Sequence, residues 1–187
     1  QDVLSIADLG VDSISVEPVT ADDSDPYALR EEDLPTIYAE YEKLAKIMLQ
    51  RKDFNFFHFN VDLTQGPCVI KRMRGCGAGC EYVAVTPDGD IYPCHQFVGK
   101  EEYRMGSILT DEFNMDIANT FAGLNIYTRD DCQDCWARFY CSGGCSAANL
   151  NANGDMKKPY KLGCDMQRKR LECAIAMRAI EAGLAEI

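Results

Sequence analysis

Histidine, tryptophan and basic residues are scarce in this sequence. Its 187 residues include 2 histidines and 1 tryptophan, and the 19 Lys and Arg residues are outnumbered by 30 Asp and Glu residues. The formal net charge of -11 excludes the basic surface with which proteins bind nucleic acids or anionic lipids. With so few imidazoles, a transition-metal site has to draw its ligands mainly from other side chains.

Long apolar runs and targeting signals are also missing. No stretch of about 18 uninterrupted apolar residues is present, so the sequence predicts no transmembrane helix. The opening residues, QDVLSIADLG, lack the basic start and apolar core of a signal peptide, which predicts a cytoplasmic protein. There is no initiator Met and the pattern opens midway, so we expect the sequence to be part of a longer protein.

The first third of the sequence predicts a β-α-β unit. GVDSISVEPV (10–19) alternates polar and apolar residues as a strand does, and FNFFHFNVDL (54–63) is aromatic and β-prone. Between them, apolar residues at helical spacing predict a helix over 34–51, with Asp33 as its N-cap. One such unit is the repeat of parallel α/β folds and is too small to form a barrel by itself.

After residues 64–68, where we place a domain boundary, the sequence becomes rich in Gly and Cys. The segment 81–94 predicts a β-hairpin around the turn Pro87-Asp88-Gly89. Helices are predicted at 111–124 and, with greater length, at 165–185.

Cysteine is the residue present in excess. The 10 cysteines stand at positions 68, 76, 80, 94, 132, 135, 141, 145, 164 and 173. Close C-x2-C pairs without a signal peptide favour metal binding over disulfides. Thiolates are soft ligands that select zinc or an iron–sulfur cluster, and the spacing alone leaves both metals open.

The order of the cysteine motifs resembles that of the SPASM domain, the auxiliary-cluster domain of many radical S-adenosylmethionine (SAM) enzymes. The segments CGAGCEYVAVTPDGDIYPCHQFVG and CQDCWARFYCSGGC are similar to those of maturases that form thioether bonds in six-cysteine (SCIFF) precursor peptides. LGVDSISVEPV resembles the sixth strand of that family's barrel, and FNFFHFNVDLTQGPC resembles the passage out of the barrel. The resemblance implies an α/β fold. It consists of a terminal β-α-β piece of a partial TIM barrel over residues 1–66, followed by a SPASM domain over 67–187 with a β-hairpin and a C-terminal helix.

The same resemblance implies two 4Fe-4S clusters and their ligands. The outer cluster would be held by Cys132, Cys135, Cys141 and Cys164, and the inner cluster by Cys76, Cys94 and Cys145. Cys80 is the favoured fourth inner ligand, with Cys68 or an open iron site as alternatives. Glu17 is a weak candidate for the vicinity of SAM, whereas Cys173, His58 and His95 are interpreted as structural.

For function, the resemblance implies a radical SAM peptide maturase that links a Cys sulfur to a carbon of a Cys-rich precursor peptide. Neither C-x3-C pair continues to C-x3-C-x2-C, since position 83 is Val and position 148 is Ala. We therefore expect SAM and a third 4Fe-4S cluster to bind outside this sequence, which by itself would not be catalytic. Ferredoxin or flavodoxin is the expected electron partner. The alternatives are a formylglycine-forming enzyme of the anaerobic sulfatase-maturase type and a zinc-binding structural or interaction module.

Overall fold

The computed structural model describes residues 1–19, 21, 24–62 and 69–186, with side chains for all of these except residues 69 and 70. The chain forms two compact units. The first contains Gln1–Gly66 together with Lys161–Ile187, and the second contains Pro67–Tyr160. The C-terminal segment that the sequence assigned to the cysteine-rich domain thus packs in the first unit.

The described residues contain short strands and mostly short helices. The helices are α1 (Asp2–Ala7), α2 (Leu34–Gln50), α3 (Val69–Arg74), α4 (Met115–Ala122), α5 (Arg138–Cys141), α6 (Ser146–Asn153) and α7 (Lys161–Glu181). The strands are β1 (Ser13–Ile14), β2 (Asn55–Phe56), β3 (Ala84–Val85), β4 (Asp90–Tyr92) and β5 (Gly106–Ser107). No helix of the described residues has the length and apolar character needed to span a membrane.

The first unit is a parallel β-α-β unit. Strands β1 and β2 pair in parallel, with Ser13 opposite Asn55, and the predicted helix between them is confirmed as α2. Helix α2 packs against α7, and the buried side chains of both helices share one core with the strands. Cys173 belongs to this core at 5% exposure.

The predicted strands are much longer than the observed ones. After β2 the chain turns at once into a 3-10 helix at Phe57–Phe59. Phe56 and Phe59 both belong to the core, and their ring centroids lie 5.0 Å apart. A spacing of three residues places two side chains on one face of a helical turn, whereas a strand would separate them. Burial of these rings therefore overrides the β propensity of the segment.

The second unit contains the predicted hairpin. Strands β3 and β4 pair antiparallel, with Ala84 opposite Tyr92, which confirms the hairpin, and β5 adds a third strand that the sequence did not predict. A buried aromatic cluster that includes Phe97 and Phe121 packs behind the hairpin. Asn114 caps α4 by accepting hydrogen bonds from two backbone N–H groups of the first turn.

Candidate metal centre

The first cysteine loop, residues 75–81, is tied to the end of the hairpin. The N–H of Gly79 lies 2.9 Å from both Tyr82 O and Pro93 O, so one donor joins the loop to the residue before Cys94. Gly79 has a φ of +76°, and a Cβ there would lie 2.9 Å from the ring of Phe121. Only glycine fits this position, because both the backbone conformation and the close packing exclude a side chain.

Three thiols form an inner set, Cys76, Cys94 and Cys145. Burial raises the pKa of the Cys94 thiol, and the nearby Cys145 and Cys76 thiols raise it further against two backbone N–H donors that lower it. Tyr82 Oη donates to Cys76 Sγ over 3.9 Å. Burial raises the pKa of Tyr82, and the three thiols of the inner set raise it as well. The structure thus brings these three predicted ligands within electrostatic reach of one another.

The fourth inner ligand stays a prediction. Cys80 is exposed, and its thiol donates to the carbonyl oxygen of Gly77 over 3.4 Å. A hydrogen bond of this kind is weak, because a thiol is a poor donor, and a cluster would replace it without a large loss. Cys68, the alternative ligand, lies outside the described residues.

The quartet loop, residues 132–145, holds an outer set of three thiols. Successive turns of the backbone connect Cys132, Cys135 and Cys141, beginning with the bond from Cys135 N–H to Cys132 O at 3.2 Å. Burial raises the pKa of Cys132, and the neighbouring Cys141 thiol adds to this effect. Burial also raises the pKa of Cys141, and hydrogen bonds from two backbone N–H groups partly offset this increase.

The chain between the two sets passes through three successive left-handed residues. Ser142, Gly143 and Gly144 have φ values of 59°, 87° and 73°. The left-handed conformation reverses the direction of the chain after α5, and glycine adopts it without the strain that a Cβ introduces. Cys145 follows this reversal and lies within electrostatic reach of Cys94 and Tyr82. Its assignment to the inner cluster stays a prediction.

Arg129 is a buried residue at this crossover that the sequence interpretation missed. Its side chain donates from Nη1 to Gly143 O at 2.9 Å and to Met156 O at 3.3 Å, and from Nη2 to Ser146 Oγ at 2.9 Å. Burial lowers the pKa of Arg129, and the thiols of Cys132, Cys141, Cys145 and Cys76 act in the opposite direction. In the sequence, Arg129 is marked only by its position three residues before the predicted ligand Cys132. Nothing in the segment TRDDC (128–132) indicates that the arginine is buried.

Asn149 reinforces the same crossover from α6. Its amide donates to Met156 O at 3.2 Å and to Gly143 O at 3.4 Å, while its carbonyl oxygen accepts from Tyr160 N–H at 2.9 Å. The residue is 2% exposed, so its polar atoms are paired within the protein. Both Gly143 and the loop around Met156 are therefore held by two buried side chains.

The remaining predicted site residues lie in the first unit. Cys164 stands in the first turn of α7 and is partly buried, and its assignment to the outer cluster stays a prediction. Glu17 is exposed, with Oε1 at 3.3 Å from Nε2 of His58. His58 is held by the N–H of Val16 at 3.2 Å, in keeping with a structural role for this histidine. The proposed proximity of Glu17 to SAM stays a prediction.

The donor set fits an iron–sulfur cluster in its chemistry. Both sets consist of thiols, the soft ligands that iron–sulfur clusters take, and the buried Arg129 guanidinium lies within electrostatic reach of thiols of both. Among the described residues, no group of three or more His, Cys, Asp or Glu side chains is arranged to hold a single metal ion.

Comparison with known proteins identifies the cysteine-rich segment. Residues 76–136 match the model of the SPASM family, described as an iron-sulfur cluster-binding domain. An uncharacterized protein of Archaeoglobus fulgidus is 30% identical over 115 residues, which are 57% of this chain and 24% of that protein. A serine-type anaerobic sulfatase-maturating enzyme of Klebsiella aerogenes is 31% identical over 96 residues, 49% of this chain and 22% of the enzyme. The chain thus spans about a quarter of the length of these relatives.

Solved structures share the fold. Native anSMEcpe with bound AdoMet and the Kp18Cys peptide superposes with a TM-score of 0.59 and 17% identity, over 89% of this chain and 47% of that one. The same enzyme with bound AdoMet and the Cp18Cys peptide superposes with a TM-score of 0.59 and 16% identity, over 91% of this chain and 49% of that one. The chain therefore shares the fold of the corresponding part of anSMEcpe, a parallel β-α-β unit together with a cysteine-rich unit, and its residues 76–136 match the iron-sulfur cluster-binding domain.

Proposed function

We propose that this chain is the auxiliary-cluster region of a radical SAM peptide maturase and holds two 4Fe-4S clusters. The observation that supports the proposal is the electrostatic proximity of Cys94 to Cys76 and Cys145, and of Cys132 to Cys135 and Cys141. Four of these six cysteines, Cys76, Cys94, Cys132 and Cys135, lie in the segment 76–136 that matches the SPASM model. The inner set would bind one cluster with Cys80 as its favoured fourth ligand. The outer set would bind the other, with Cys164 completing the four thiolates.

The proposed reaction of the whole protein is thioether formation in a Cys-rich precursor peptide. The peptide would lose a hydrogen atom from carbon and a proton from a Cys thiol, and one further electron has to leave as the sulfur–carbon bond forms. Clusters held by the two sets of thiolates would supply one-electron redox chemistry for this oxidation, with a ferredoxin or flavodoxin as the external electron partner. The contribution of this chain is to fix the thiolates, to shield Cys94 and Cys132 from water, and to place a positive charge beside both sets.

Formylglycine formation is the second candidate. It is supported by the similarity to the sulfatase-maturating enzyme of Klebsiella aerogenes, which covers 49% of this chain. The two reactions leave different products. Formylglycine carries an aldehyde that a hydrazide reagent captures, whereas a thioether link leaves no aldehyde and resists reduction by thiols.

Cluster binding is tested on the chain itself. The 187-residue chain, prepared and reconstituted without oxygen, is assayed for iron, acid-labile sulfide and zinc. We expect about eight irons and eight sulfides per chain with broad absorbance near 400 nm. A colourless protein with stoichiometric zinc and no sulfide would instead establish the zinc-module alternative.

The reaction is tested on the whole protein from which the chain derives. The protein is incubated anaerobically with SAM, a reductant and a Cys-rich peptide, and the peptide is analysed by mass spectrometry. Loss of a pair of hydrogens per link, with no hydrazide adduct, supports thioether formation. A hydrazide adduct would overturn that proposal in favour of formylglycine.

A further inference from the structure

Arg129 combines deep burial with incomplete pairing. Its side chain is 2% exposed, and its three hydrogen bonds go to two carbonyl oxygens and one hydroxyl, all of them uncharged. Its Nε atom is buried without a hydrogen-bond partner. Within the part of the chain that the structure describes, no carboxylate forms an ion pair with this guanidinium.

A buried cation without an anion is strongly unfavourable, because the protein interior solvates charge poorly. The groups near Arg129 that become anions on binding metal are thiols. Cys132 and Cys141 belong to the outer set, and Cys145 and Cys76 to the inner set. The guanidinium therefore lies within electrostatic reach of predicted ligands of both clusters, and thiolate-ligated clusters carry net negative charge.

The contacts of Arg129 also fix the chain that separates the two sets. Gly143 stands two residues before Cys145 and Ser146 directly after it, and Arg129 bonds to both through different nitrogens of one planar fork. Cδ of Arg129 fills the space above Gly143 so closely that a Cβ there would lie 2.5 Å away. The guanidinium of Arg129 thus fixes the path of the backbone on both sides of Cys145.

We propose that Arg129 is a positioning residue shared by both clusters: it holds the Gly143–Ser146 crossover and supplies the positive charge that stabilises their reduced forms. This inference rests on the proposed function, because it requires that both thiol sets ligate iron. Reduction adds negative charge to a cluster, so a fixed nearby cation raises its reduction potential.

The test separates charge from shape. Arg129→Gln removes the charge and keeps a hydrogen-bonding side chain, and Arg129→Lys keeps the charge and loses the planar fork. Arg104→Gln is the matched control, because it also removes one arginine from the second unit, where Arg104 pairs with Asp90 at 2.6 Å. Each reconstituted chain is assayed for iron and sulfide, and the midpoint potentials are measured from EPR spectra recorded at set potentials.

We expect Arg129→Gln to shift both potentials downward relative to the wild-type chain, while Arg129→Lys and Arg104→Gln stay close to it. Unchanged potentials in an iron-replete Arg129→Gln chain would overturn the inference. Should Arg129→Gln fail to bind iron, Arg129→Lys decides the role of charge from the clusters that it binds: near-normal potentials support that role, and potentials shifted downward overturn it. A lower iron content in Arg129→Lys than in Arg104→Gln is the expected effect of losing the fork, and equal iron in the two variants overturns the positioning role. Failure of the wild-type chain to bind clusters would refute the proposed function itself.

Discussion

Gly143 and Arg129 are in direct contact at the point where the quartet loop crosses between the two thiol sets. Cδ and Nε of Arg129 would lie 2.5 and 2.8 Å from a Cβ on Gly143. The φ of Gly143 is also +87°, so both the backbone and the packing require glycine. The neighbouring Gly144 has a φ of +73°, but its nearest contact would be Asn149 Oδ1 at 3.8 Å.

This difference predicts unequal effects of two similar substitutions. Alanine in the left-handed conformation costs roughly 1–2 kcal/mol, which applies to both Gly143→Ala and Gly144→Ala. Gly143→Ala also displaces Arg129, which adds about 1–3 kcal/mol of overpacking. We therefore expect the larger loss in the free energy of unfolding, measured with urea, and the larger loss of bound iron for Gly143→Ala. Equal losses in the two variants would contradict the contact with Arg129.

Tyr82 provides a second prediction, through its hydroxyl. The hydrogen bond from Tyr82 Oη to Cys76 Sγ withdraws negative charge from the sulfur, and such bonds raise the reduction potential of a cluster. Tyr82→Phe should lower the potential of the inner cluster and leave the iron content unchanged, as measured by EPR at set potentials. Tyr127→Phe, at a tyrosine that is 50% exposed, is the control and should have no effect. An unaltered potential in Tyr82→Phe would count against an inner cluster at Cys76.

The fourth inner ligand is decided by cysteine variants. We expect Cys80→Ala to lower the iron content and to change the EPR signal of one cluster only, because three thiolates would then remain. Cys173→Ala is the control, since this thiol lies in the core of the first unit at 5% exposure. Full iron in Cys80→Ala with loss in Cys68→Ala would assign Cys68 instead. Full iron in both variants would indicate an open iron site.

His58 makes the stability of the first unit depend on pH. Burial lowers the pKa of His58, the charge of Arg170 lowers it further, and Glu17 opposes this shift. Neutral His58 accepts the Val16 N–H at Nε2, and protonation would remove this bond, although Glu17 Oε1 lies 3.3 Å from the same atom and could accept from it. The unfolded chain therefore binds the proton more readily than the folded one.

The direction of the pH effect follows from this difference. The contribution of neutral His58 to the free energy of unfolding is fully present above the ordinary histidine pKa of about 6.5. It falls as the pH drops below that value, until His58 is protonated in the folded protein as well. Urea unfolding of the first unit between pH 8 and about 5 should show this loss. His58→Gln should reduce it and His95→Gln should leave it intact; the same pH dependence in His58→Gln would assign it to other groups.

Much of the fold was predictable because local signals were strong. Apolar spacing gave helix α2, and Pro87-Asp88-Gly89 gave the hairpin turn. The strand lengths were wrong because the tertiary burial of Phe56 and Phe59 overrides local propensity. Strand β5 was missed because its two residues, Gly106 and Ser107, have low β propensity and pair with β4 only through long-range contacts.

The cysteines of the site were visible in the sequence, whereas their electrostatic surroundings were not. The resemblance assigned eight cysteines as ligands, and seven of them, all except Cys164, lie in the second unit. Arg129 could not be predicted as buried, because an arginine in a polar loop is ordinarily exposed. Its burial depends on Asn149, Met156 and Gly143, which converge only after the chain has folded.

The first unit is discontinuous in the sequence, and this has a consequence for biosynthesis. Residues 67–160 leave the ribosome before α7, so the apolar face of α2 lacks its partner until residues 161–181 have also been synthesised. The cysteine-rich unit is therefore the first that can become compact and receive iron. A translational stop before residue 161 would release a chain with a formed cysteine-rich unit but an exposed, aggregation-prone α2.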